Sequence, residues 1–281
     1  RSMAYRANLT AYALPLQNFM PGSGLHSFSG ELTADGAGFD FLSPRTRMDA
    51  RVRVGNFHYS GYDLSNVSLQ AEVKNGVGRA LLDSRTPLLN GIIDLRTVLD
   101  NRRIDANLLC NLLYADFYKL GITEVPLTTS MTAHVDVQSD LASTHSVKGV
   151  IGNIVVRDSA AAYRPENVVM DIFTRRDSTH ANVTCGDFAL RLDGSGSVEH
   201  ILNRLSSIGV EAQKQRNERY IDQLRLRERL PKLSVYLDAG KENIISRTAR
   251  HYGYEFQDAY INMNTSPVKG INGTVRIDSL V

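Results

Sequence analysis

"HYSGYDLSNVSLQAEV", residues 58–73, ends in strict alternation: Val67, Leu69, Ala71 and Val73 are apolar, and Ser68, Gln70 and Glu72 between them are polar. Alternation at period two marks a strand with one buried and one wet face. A close relative, "HYGYEFQDAYINM", occupies 251–263, and a weaker copy, "AYRPENVVMDIF", occupies 162–173. Tyr62, Leu64, Asn66, Val67 and Leu69 align with Tyr254, Phe256, Asp258, Ala259 and Ile261. Tyr163, Asn167, Val168 and Met170 take the same places in the third copy. Repetition of this kind implies an architecture built by adding similar units.

The same parity recurs along the chain. "RMDARVRV" sets Met48, Ala50, Val52 and Val54 against Arg47, Asp49, Arg51 and Arg53. "MTAHVDVQ" sets Met131, Ala133, Val135 and Val137 on one side. Shorter cases are "FALRLD" with Leu190 and Leu192, "LSVYLD" with Val235 and Leu237, and "VRID" with Val275 and Ile277. A parallel sheet covered by helices would show continuous apolar runs instead. The stretches "ADGAG" (Ala34–Gly38), "KNGVG" (Lys74–Gly78) and "LDGSG" (Leu192–Gly196) read as tight turns, because Asn-Gly and Asp-Gly supply positive φ. The expectation is a mainly β, long, mainly antiparallel meander of about ten alternating strands.

One region breaks the rhythm. From Val198 to about Arg229, Ile201, Leu202, Leu205, Ile208 and Ala212 trace a helical stripe, and Pro231 ends it. This predicts a helical insertion near 198–229 that packs Ile201, Leu202, Leu205 and Ile208 on the sheet. A short helix is expected near 240–251, after Gly240. "LLCNLLYADFYKLG" (Leu108–Gly121) reads as strand, then a short helix ending at Gly121. The domain reading is one repetitive segment, 1–281, with approximate units 25–125, 126–197 and 233–281 and a helical insert 198–232.

Composition excludes several classes. The 281 residues carry 32 Lys+Arg against 30 Asp+Glu, so no global charge attracts nucleic acid. The opening "RSMAYRANLT" is no signal peptide, and the chain reads as a piece of something longer. Cys110 and Cys185 are too few for a disulfide framework; Cys185 aligns with Ser84 and reads as structural. No His-Glu-x-x-His, Cys-x-x-Cys or phosphate-binding loop occurs, and "GSGSVEH" (Gly194–His200) lacks the third glycine of a dinucleotide fingerprint. His58 and His251 sit beside aromatics, where a structural hydrogen bond is the plainer role. Asp187, Asp193 and Glu199 form a conceivable carboxylate cluster, yet lie in turn sequence, where Asp serves the backbone. "KQRNERYIDQLRLRERLPK" (Lys214–Lys232) could lie on an anionic membrane surface or touch a partner; the plain reading is a solvated helix laced by opposite charges. Five Asn-x-Ser/Thr sequons, at Asn8, Asn66, Asn182, Asn264 and Asn272, suit strand ends equally well. No enzyme, cofactor or metal is expected.

Each alternating strand has one apolar face, and the helical sequence is too short to cover them all. Two arrangements answer this: a sheet folded on itself as a sandwich or barrel, or a groove lined for something other than protein. Gly30–Ser84, with Ala115–Asp140 and Leu233–Leu280, resembles the repeated unit of the TamB-type translocation and assembly modules, within the AsmA-like, bridge-like lipid-transfer group. The resemblance implies a sheet curled lengthwise into a taco-like groove with an apolar interior. It implies a periplasmic segment of a protein anchored in the inner membrane, conducting phospholipid between the two membranes of a Gram-negative cell. Acyl chains would be the partners, held by about 0.8 kcal/mol per buried methylene. The lining expected is Met48, Val52, Val54, Val67, Leu69, Val73, Val135, Val137, Leu190, Leu192, Val235, Leu237, Ile261, Met263, Val275 and Ile277. Alternatives are a scaffold for outer-membrane protein assembly with a BamA-like partner, offering strand edges, and an extracellular carbohydrate-binding repeat protein, disfavoured by the absence of Trp.

Overall fold

The computed structural model describes residues 3–59, 62–100, 102–158, 162–251 and 257–278. The chain forms two compact units, Arg1–Gln138 with Ile151–Arg164, and Ser139–Val150 with Pro165–Val281. Seventeen strands and three α-helices lie among the described residues.

The first unit is a meander. Its strands are β1 (Ala4–Pro15), β2 (Leu25–Ala37), β3 (Arg47–Tyr59), the two-residue β4 (Tyr62–Asp63), β5 (Val67–Lys74), β6 (Val77–Arg85), β7 (Leu89–Asp100), β8 (Arg103–Asp116) and β9 (Leu127–Ser139). Registered antiparallel pairs run from β1 to β2, to β3, to β5 and on through β8. The β5/β6 connection is the two-residue loop Asn75-Gly76, both at positive φ (53° and 74°). Two successive positive φ values give the turn whose twist matches the strands it joins. β10 (His145–Asp158) contributes residues to both units, and the two-residue β11 (Ala162–Tyr163) pairs with its end.

The second unit continues as β12 (Val168–Arg175), β13 (Ser178–Cys185), β14 (Phe188–Ser195), β15 (Leu233–Ala239), β16 (Asp258–Ser266) and β17 (Gly270–Asp278), each registered antiparallel with the next. Between β14 and β15 stand α1 (Val198–Glu218) and α2 (Gln223–Glu228); α3 (Ile244–His251) follows β15. Ser197 caps α1 by accepting from His200 N, and Asp222 caps α2 through Leu224 N and Arg225 N.

The repeat has a structural counterpart. β4 before β5 and β11 before β12 are both two-residue strands paired to the end of the preceding long strand. Each copy thus places its tyrosine, Tyr62 or Tyr163, on a short strand and then opens an eight-residue strand at Val67 or Val168. Tyr254 and Phe256 of the third copy lie outside the described residues.

Three local expectations are corrected. "ADGAG" is not a turn: Asp35 and Gly36 continue β2, opposite Asp49 and Met48, and the chain turns only after Gly38. Gly36 is required because a Cβ there would meet the backbone carbonyl oxygen of Arg47 at 2.5 Å, with the Tyr5 hydroxyl equally close. "LDGSG" likewise keeps Asp193 and Gly194 within β14. Leu108–Asp116 is strand throughout, and 117–120 is a hydrogen-bonded turn rather than a helix, with Leu120 N donating to Asp116 O.

The curled groove is also corrected. In each unit the structure is an open antiparallel sheet, neither curled lengthwise nor closed, and the small α-helical insertions belong to the second unit. Its apolar rows cross neighbouring strands and stay half-buried or exposed, as at Leu9, Leu32, Val52 and Leu69. The sandwich or barrel fails for the same reason within each unit.

Candidate functional site

Residues directly opposite in an antiparallel pair share a face, so the register converts strand parity into transverse rows. In the first unit Leu9, Leu32, Val52, Leu69, Leu82, Ile93 and Cys110 oppose one another in succession across seven strands. Two residues along lies a row of small side chains, Ala7, Ala34, Ala50, Ala71 and Ala80. Of the residues expected to line a groove, Met48 opposes Val73, Val52 opposes Leu69, and Val54 opposes Val67. Val135 and Val137 lie on β9, both half-buried. In this unit no α-helix occurs among the described residues, and Leu69 is 38% exposed.

In the second unit Leu190 opposes Leu237, Leu237 opposes Ile261, and Ile261 opposes Val275. The next row holds Leu192, Val235 and Met263. Ile277 opposes Ala259 at one end of the face. Helices cover the two ends. At one, α3 seats Ile244 and Ile245 on the buried row Cys185, Phe188, Ala239 and Ala259. Asp187 fixes α3 by accepting from Glu242 N at 3.2 Å, Asn243 N at 3.0 Å and Asn243 Nδ2 at 2.8 Å. Burial pushes the Cys185 thiol above its ordinary pKa, which suits a packing residue.

At the other end, the first turn of α1 drops Ile201 onto Gly194 and Leu233. Of the four stripe residues expected to pack on the sheet, Ile201 is buried and Ile208 half-buried. Leu202 and Leu205 face solvent, because α1 leans on the sheet only at its start and then pairs with α2. That pairing is polar: Arg229 lies 3.0 Å from Glu211, and Gln215 Nε2 donates to Glu211 Oε1 at 2.9 Å. Gln215, then Arg229, hold the Glu211 carboxyl below its usual pKa.

The opposite face of the sheet is charged. Arg79 on β6 donates to Asp94 on β7 from both Nε (3.2 Å) and Nη2 (2.9 Å), and Arg96 adds a third bond to the same carboxylate at 3.0 Å. The Arg79 bonds, chiefly, depress the Asp94 pKa. Asn107 bridges to Asp136 at 2.7 Å. In the second unit Arg191 lies 5.9 Å from the centroid of the Tyr236 ring, which meets Tyr260 edge-on. The wet parity of β14, β15 and β16 already marked these positions, but only the register makes them neighbours.

The clefts are open and mixed in character. One of about 950 Å³ sits over His180, Asp193, Ser234, Asn264 and Asn272, a single transverse row. His180 Nδ1 is 2.6 Å from Asp193 Oδ1. Two smaller clefts are lined by Asp49, Arg51, Gln70, Glu72 and Arg79, and by Asp83, Arg85, Asn90 and Asn111 among others. None draws its lining from the sixteen residues expected in a groove. The carboxylates weighed as a cluster are dispersed: Asp193 pairs with His180, Asp187 holds α3, and Glu199 sits on the first turn of α1. No group of three or more potential metal ligands occurs among the described residues. His58 opposes Asp63, whose pKa is lowered by hydrogen bonds from Ser65; the His251 side chain lies outside the described residues.

No protein-family model matches the chain, and neither the curated proteins nor the solved structures include a similar one. The TamB-type resemblance is thereby overturned, together with the uncurled sheet that contradicts its defining geometry. The phospholipid conduit falls with it. So do the BamA-partnered scaffold and the carbohydrate-binding repeat, for which neither the comparisons nor the sheet offer support. No helix is long and apolar enough to cross a membrane among the described residues.

Proposed function

We propose that this chain is a non-catalytic β-scaffold whose apolar sheet face receives a second apolar protein layer. The observation carrying this reading is the relief of that face in the first unit. The row of Leu9, Leu32, Val52, Leu69 and Leu82 stands beside the row of Ala7, Ala34, Ala50, Ala71 and Ala80. Large residues beside small ones form a ridge and a furrow, the relief that lets two protein surfaces interdigitate at native density. A fluid ligand requires no such relief. The charged face, with its cross-strand ion pairs, keeps the other side in water.

A second copy of the chain is the layer in hand for a test. Sedimentation velocity of the purified protein should show concentration-dependent association. Ala71→Leu fills the furrow without adding polarity and should weaken that association at least tenfold; Gln70→Leu, on the charged face, should leave it unchanged or stronger. A monomer at all concentrations that also fails to bind an apolar dye would reject the reading.

A further inference from the structure

The hairpin of α1 and α2 ends in a surface that the scaffold reading does not use. Its tip is held firmly. Asp222 N donates to Gln215 Oε1 at 2.7 Å, Asp222 caps α2, and Arg204 Nε reaches back to Leu230 O at 3.1 Å. A tip so fixed presents defined side chains. They are apolar: Tyr220, Ile221 and Leu224 are 66%, 71% and 60% exposed. Three large apolar residues on a five-residue stretch of turn and helix start are unusual where polar turn chemistry would serve.

The surroundings are basic. From 214 to 229 there are six Lys or Arg against three Asp or Glu. Lys214, Arg225 and Arg229 are engaged with Glu218, Asp222 and Glu211. Arg216 and Arg219 make no ion pair among the described residues, and they directly flank the apolar tip on the α1 side. Arg219 is held at φ 54°, the left-handed cap that ends α1 and turns the chain toward Tyr220. An apolar tip with a tyrosine at its margin and uncompensated guanidinium groups around it complements a surface that is apolar beneath and anionic on top.

We infer that the α1/α2 tip docks on an anionic phospholipid surface, with Ile221 and Leu224 entering the headgroup–acyl boundary and Arg216 and Arg219 meeting lipid phosphates. This is attachment to a bilayer surface by one hairpin, and it stands apart from any role of the sheet. Each guanidinium near such a surface contributes about a fivefold gain in binding.

The test is co-sedimentation of the full chain with vesicles of phosphatidylcholine, with and without phosphatidylglycerol. Wild type should bind the anionic vesicles, and high salt should weaken the binding. The Arg216→Gln/Arg219→Asn pair should reduce it by at least tenfold. Ile221→Asp/Leu224→Asp should abolish it while the helical dichroism is retained; should that variant not fold, the arginine pair alone decides. Failure of wild type to bind, equal binding to neutral vesicles, or binding indifferent to the arginine pair would overturn the inference. So would lipid-free self-association that the tip variants abolish, which would assign the patch to a second copy of the chain.

Discussion

Ile201 fills the space that Gly194 leaves open: a Cβ on Gly194 would lie 2.5 Å from Ile201 Cδ1 and 3.2 Å from Leu233 Cδ1. Here the helical stripe grips the sheet with its one buried member among the described residues. Removing the grip should therefore release α1. Ile201→Ala should lower unfolding stability by about 2–4 kcal/mol, and Gly194→Ala by about 1–3 kcal/mol through overpacking. Leu202→Ala, on the solvent side of the same helix, should stay within about 0.5 kcal/mol. Urea titration followed by circular dichroism reads all three.

The β5/β6 hairpin turns on Asn75 and Gly76. At φ 74°, a Cβ on Gly76 would also meet Leu99 O at 2.7 Å. Gly76→Ala therefore combines left-handed strain with a backbone clash, and should destabilise by about 1–3 kcal/mol. Asn75→Gly, which keeps the turn, should change stability by less than about 1 kcal/mol. Equilibrium denaturation of the two variants in parallel decides this.

Asp94 ties β6 to β7 on the charged face, with its folded pKa depressed below the ordinary carboxylate value, first by Arg79 and then by Arg96. A depressed folded pKa means that the unfolded chain takes up the proton first as pH falls. The stabilisation is therefore complete above the unfolded value, about 4, and is lost as pH drops through the folded one. Arg79→Gln should lower the urea midpoint at pH 7, and the gap from wild type should narrow steadily as pH falls below about 4. A gap that is constant down to acid pH would assign the loss to packing of the arginine stem instead.

Asp187 organises the start of α3 through three donors, Glu242 N, Asn243 N and Asn243 Nδ2. Asp187→Ala leaves those groups without their acceptor and should cost about 1–3 kcal/mol, because it frees Asn243, whose Oδ1 caps α3 by accepting from Ser246 N. It should also loosen Ile244 and Ile245 from the row beneath them. Alkylation of Cys185, which is 1% exposed in that row, should then accelerate relative to the half-buried Cys110. Unchanged reactivity of Cys185 would show that α3 stays seated without Asp187.

By itself the sequence determined the mainly β, antiparallel class, the parity of its alternating strands and the existence of the helices, but it showed about ten strands where the structure has seventeen among the described residues. Period two assigns Val52 and Leu69 to one face and Arg51 and Gln70 to the other, and the register keeps them so. Asn75-Gly76 announced its hairpin because positive φ at two successive positions is a local demand, met by few residue pairs. The helical insertion near 198–229 and the short helix near 240–251 were legible for the same local reason, and appear as α1, α2 and α3. Only the tertiary structure decided the rest. The Asp-Gly pairs at 35–36 and 193–194 look like turns, yet remain in strands because the neighbouring strands are long enough to pair with them, Asp35 and Gly36 with Asp49 and Met48, Asp193 and Gly194 with His180 and Thr179. Ile201 is buried and Leu202 exposed because neighbours in a helix point about 100° apart, and only the placement of α1 decided which of them meets Gly194 and Leu233. Curl was the largest of these decisions. Alternation is a property of single strands, whereas curvature accumulates from twist and bulges across many of them, so the same sequence pattern serves a trough and the open sheets found here.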